Sequence, residues 1–139
     1  MKLKLIGLLI TLSFYPVGVQ ATKDQQSVYG KMAEYLHITF NIKIIKDQTN
    51  LWENKDSFTK EEFKIKHDRL LCAQLALHVE YQDFLKKSNY KPSPKATEFL
   101  KQEETKLERD FKKYEPDCSL DDGYIQKLLE SVLGLKDEL

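Results

Sequence analysis

Three histidines, His37, His67 and His78, and two cysteines, Cys72 and Cys118, are the residues of this chain best suited to chemistry. His67 and His78 stand three helical turns apart, so they share a face. Their separation along the axis is about 16 Å, too far to hold one metal ion. No His-x3-His or His-Glu-x-x-His pair occurs. A metal site would need His37 to meet one of the other two across the fold. Spacing leads to the expectation of no metal site, with one half-buried imidazole and two exposed ones. His78 lies six residues beyond Cys72 and off its helical face, and burial would blunt the thiol. There is no Gly-x-Ser-x-Gly turn and no glycine-rich phosphate loop. No catalytic residue and no cofactor is therefore expected.

Glu104, Gln74, Trp52 and, again, His67 stand out from the pattern around them. Glu104 falls between Leu100 and Leu107 on a helical seam. A buried acid there could do acid–base work, although a stem bent toward water is the commoner outcome. Gln74 and His67 break the apolar run of a central helix, where a hydrogen-bonded pair would set register. Trp52 lies in a polar stretch. It is the candidate partner contact, because tryptophan is enriched at binding hot spots, and it can equally plug the end of a bundle.

The elements that must position these residues read as helices. The first starts near Ser27, with Val28, Met32, Tyr35, Leu36, Ile42 and Ile45 as its stripe. Residues 38–44 also alternate like a strand, but no second strand is available to pair with them. Residues 47–58 read as a polar connection. Thr59 and Glu62 form a capping box, with Phe58 and Phe63 at the staple positions, so a second helix is predicted from Lys60 to about Lys87. It is apolar nearly all round between Leu70 and Val79, the mark of a central helix. Ser93 and Pro94 open a third helix, which covers the second and ends near Tyr114 before Pro116. A fourth follows Cys118, with Ser119 and Asp122 as a weak capping box, Leu120, Tyr124, Ile125, Leu128, Leu129, Val132 and Leu133 on one face, and Gly134 as its stop. The fold class is all-α: a small four-helix bundle, or an irregular helical domain, with one disulfide between the second and fourth helices.

Residues 1–21 read as a cleavable signal peptide: Lys2 and Lys4, an apolar run from Leu3 to Phe14, then Val19-Gln20-Ala21 before the cut. Residues 22–139 are one domain by size. Of 22 basic and 22 acidic residues, cleavage removes two lysines. The near-neutral remainder gives no basic face for nucleic acid or an anionic membrane. Two cysteines in an exported chain imply one bond, Cys72–Cys118, worth roughly 4 kcal/mol by loop entropy. The last four residues, Lys136-Asp137-Glu138-Leu139, match the endoplasmic-reticulum retrieval tetrapeptide. The expected location is therefore the periplasm or medium of a bacterium, or the reticulum lumen of a eukaryote.

Gly123-Tyr124-Ile125 resembles a triplet in a small helical family of periplasmic immunity proteins, where a cysteine stands shortly before it. Here Asp121 and Asp122 hold that place and Cys118 is displaced, so three residues carry the likeness and no membership follows. The expected function is non-enzymatic binding of another protein, as a periplasmic inhibitor or toxin-neutralising, immunity-like protein. The alternatives are a chaperone-like adaptor of the reticulum lumen and a carrier of an apolar small ligand.

Overall fold

The segment with two competing periodicities, residues 38–44, is helical. In the computed structural model, which describes residues 23–119 and 123–133, it lies within α1, Lys23–Glu53. A short 3-10 turn at Lys55–Ser57 leads to α2, Lys60–Ser88. α3 spans Pro94–Tyr114 and α4 spans Tyr124–Leu133. No strand occurs among the described residues. The proposed leader, Asp122, Gly134 and the terminal tetrapeptide lie outside them.

The helix starts follow local chemistry. Thr59 Oγ1 accepts from the Glu62 amide at 3.1 Å, and Ser93 Oγ accepts from the Ala96 amide at 3.2 Å. Each bond satisfies an amide that has no partner within its helix. At the other ends, Asn89 (φ 57°) and Glu115 (φ 44°) take the left-handed conformation that closes α2 and α3.

Both ends of α1 differ from the sequence reading: it starts at Lys23 rather than near Ser27, and it runs past residue 46. Residues 47–53 are not part of a connection, because α1 continues through them. Ile44, Gln48 and Leu51 extend its buried stripe at three–four spacing, and their packing outweighs the polar residues between them.

α2 is the central element, packed against α1, α3 and α4. Its Leu70, Ala73, Leu77, Tyr81 and Phe84 meet Ala33, Phe40, Ile44 and Leu51 of α1 and Leu100 of α3 in the core, and its Leu71 and Ala76 are buried as well. Full burial of side chains such as Leu71 and Phe40 is worth about 1.5–3 kcal/mol each. α4 adds Leu128, and its Tyr124 hydroxyl donates to Asp47 at 2.7 Å. Cys72 and Cys118 stand at disulfide distance, with sulfurs 1.97 Å apart, joining the middle of α2 to the segment ahead of α4.

Gly30 marks the closest approach of α1 to the α2–α3 turn. A β-carbon there would stand 2.1 Å from Cδ1 and 2.2 Å from Cγ of Tyr90. The ring is blocked near its root, so it cannot swing clear alone. Gly30→Ala is expected to lose about 1–2 kcal/mol net in thermal unfolding, the overpacking exceeding the helix-propensity gain.

Candidate functional site

Each of the three long helices turns polar side chains into the core. On α1, His37, Asn41 and Gln48 recur at helical spacing with Ile44 and Leu51. On α2 they include His67, Gln74 and His78; on α3, Glu103 and Asp110 take the places between and beyond Leu100 and Leu107. All eight are buried, so all three imidazoles lie inside, against the expectation that two would be exposed.

The centre of this array is Glu103. His37 Nε2 lies 3.0 Å from its Oε1 and 3.1 Å from its Oε2. His78 Nδ1 hydrogen-bonds to the same Oε1, and Asn41 Nδ2 donates to Oε2. The condition set by the histidine spacing, that His37 meet another histidine across the fold, is thus satisfied by His78. Tyr81 stacks on the His37 ring at 4.6 Å and 11°, holding it in place. Burial pushes the Glu103 pKa upward. The hydrogen bonds and charges of His37 and His78 outweigh that, and the carboxyl ends below its ordinary value.

A second tier fixes the first. Gln74 Nε2 donates to Asn41 Oδ1 at 2.7 Å, and Gln74 Oε1 accepts from Lys106 Nζ at 3.0 Å and Gln48 Nε2 at 3.4 Å. Lys106 also pairs with Asp110 at 2.8 Å. Gln74 therefore has the register-setting role its place suggested, with partners on two neighbouring helices.

Glu104 is exposed; its neighbour Glu103 is the buried acid. Both positions lie near the seam by periodicity. Counting Phe111 as a full core residue tilts the seam toward Glu104, but Phe111 is only half-buried, while Asp110 is buried. The core-spaced series 96–100–103–107–110, with acids at 103 and 110 among Ala96, Leu100 and Leu107, was the available signal.

Trp52 is on α1 rather than in a loop. Its ring meets Phe63 at 4.8 Å and His67 at 5.4 Å, and Tyr114 closes on His67 at 4.5 Å. It still leaves 42% of its surface to solvent, so it closes the bundle end and faces outward at once. In this aromatic box burial lowers the His67 pKa, with Asp68 and Asp110 opposing. The unfolded chain therefore binds the proton more readily than the folded one. Stability is fully present above about pH 6.5 and falls as pH drops below it. His67→Phe is expected to flatten this loss: between pH 7.5 and 5.0 the urea midpoint should fall less in the variant than in the parent chain.

The apolar residues expected to line the inside of α1 are largely outside. Val28 is 54% exposed, Met32 49%, Tyr35 69%, Ile42 46% and Ile45 39%. Val28, Tyr35 and Ile42 repeat every seven residues, as do Ile38, Ile45 and Trp52. α1 is therefore apolar on two opposed faces, one in the core and one in solvent. Where α1 ends against α2 and Tyr124, a groove of about 290 Å³ mixes Asp47, Lys66 and Arg69 with Leu51, Phe58 and Leu70. No helix among the described residues is long and apolar enough to cross a membrane. Comparison with protein-family models, with curated proteins and with solved structures yields no match.

Proposed function

We propose that the chain is an exported, non-enzymatic protein-binding domain that docks a helix of another protein along the outer face of α1. The observation that carries this reading is the solvent-facing heptad series Val28, Tyr35, Ile42 with Ile45, Trp52 and the half-buried Ile38. A helix apolar on both faces wants cover on both. Two interleaved series of period seven make the seam that a second helix fits with left-handed supercoiling. From Val28 to Trp52 it runs about 36 Å, six to seven turns. Exposed Lys46 flanks it and exposed Lys31 stands at the head of the Ile38–Ile45–Trp52 series, which favours an acid-bearing partner helix over a second copy bearing the same lysines. Burial of the Glu103 cluster keeps it from substrates and so supports the non-enzymatic part. The leader pattern and the cysteine pair support export into an oxidising space.

The test places a photo-crosslinking residue at Tyr35, and at exposed Lys101 on α3 as control, in the native cell. A defined adduct with one protein from position 35 and none from 101 is expected. In Tyr35→Lys/Ile42→Lys, which removes no core residue, capture of that protein should drop at least tenfold. Unchanged capture, or an adduct formed only with a second copy of the chain, would overturn the reading.

A further inference from the structure

We infer that His37 Nε2, His78 Nδ1 and Glu103 Oε1 form a site for one divalent transition-metal ion, with zinc the best fit. Three helices each contribute one ligand. The donor atoms of the three residues lie within 4.8 Å of one another, and all three residues are buried. Zinc takes nitrogen and carboxylate oxygen at about 2.0–2.2 Å, so tetrahedral donors stand roughly 3.3 Å apart. The His37 Nε2–Oε1 pair, at 3.0 Å, needs a small outward adjustment, and the closer His78 Nδ1–Oε1 pair a larger one. Two imidazoles and one carboxylate are a borderline-soft set that suits zinc or cobalt, whereas calcium and magnesium take oxygen cages.

The surroundings are those a ligand set requires. Oε1 faces both imidazoles, while Oε2 is held by Asn41 Nδ2. The carboxylate is thereby oriented with Oε1 toward both imidazoles, where an ion would take the place of the hydrogen-bonding protons, and Gln74 locks Asn41 in turn. Such outer partners govern affinity nearly as much as the ligands. Lys106, the cation that donates to Gln74, is paired with Asp110 rather than with Glu103. With Glu103's side chain 1% exposed and His37's 3%, the ion would tie α1, α2 and α3 together rather than meet a substrate. The fourth position of a tetrahedral ion would fall to a water.

The test uses the full purified chain, stripped with a chelator and titrated with Co²⁺. The expected result is a 1:1 complex with the visible bands of four-coordinate cobalt, displaced by one equivalent of Zn²⁺. Affinity should weaken as pH falls, because the ligands must be unprotonated. His37→Gln and His78→Gln should each abolish the spectrum, Asn41→Ala should weaken binding about tenfold, and His67→Gln should leave it unchanged. Far-ultraviolet dichroism on each variant separates lost binding from lost folding. The parent chain decides the matter even where a variant fails to fold. The absence of a 1:1 cobalt band there would make the cluster a hydrogen-bonded ladder only. Binding that survives both folded histidine variants, or that vanishes in His67→Gln, would place the ion elsewhere. Either outcome overturns the inference.

Discussion

Glu103→Ala is expected to lose about 3–5 kcal/mol of stability, and Glu104→Ala, one residue on, less than about 0.5 kcal/mol. The contrast follows from burial and partners. Glu103 accepts from His37, His78 and Asn41 inside the core, whereas Glu104 is exposed. Removing the shared acceptor leaves two imidazoles and an amide without it in a medium that cannot replace the bonds. The penalty is that of stranding the partners, which exceeds what the intact cluster contributes over an apolar core. Denaturant midpoints of the two variants at neutral pH make the comparison. Equal effects would mean that α3 turns a different edge inward. The carboxyl's lowered pKa adds an acid limb: its contribution is present above about pH 4.5 and is lost as pH falls through the lower folded value. That limb should disappear in Glu103→Gln.

Breaking the Cys72–Cys118 link is expected to cost about 4 kcal/mol, the loop-entropy value for residues 46 apart. Cys72→Ala/Cys118→Ala, or reduction of the parent chain, should lower the urea midpoint by that amount divided by the slope, with helicity retained in dilute buffer. The link supports more than its own two residues. Close by, the Asp117 amide donates to Asp68 at 3.1 Å, fixing the segment that leads from α3 to α4. A short segment held at one point should fray once the link is cut, so amide exchange in α4 should accelerate before that in α2 does. A thiol titration of the folded chain should find no free cysteine; two reactive thiols without denaturant would show that the pair does not form.

The two faces of α1 show where reading the chain succeeds and where it stops. That α1 is a helix was legible, since a lone strand at 38–44 would leave its backbone groups unpaired. Which face turns inward was not. Val28, Met32, Tyr35, Ile42 and Ile45 make a good apolar stripe, and the core uses Ala33, Phe40, Ile44 and Leu51 instead. The inner face carries His37, Asn41 and Gln48, so on hydropathy alone it loses to the outer one. Those polar groups are acceptable inside only because α2 and α3 supply Gln74, His78 and Glu103 opposite them, and partners 26 to 66 residues away leave no trace in a local window.

Capping chemistry and tight-turn residues act over three or four positions, so Thr59, Ser93, Pro94 and the apolar run of α2 announce the helices and their order. Two cysteines admit one pairing, which made Cys72–Cys118 readable before any fold was known. The convergence of His37, His78 and Glu103 is different in kind. It depends on how three helices cross and on each one's rotation about its axis. Those are set by the sum of many packing contacts, and a rotation of one residue exchanges Glu103 for Glu104 at the centre of the molecule.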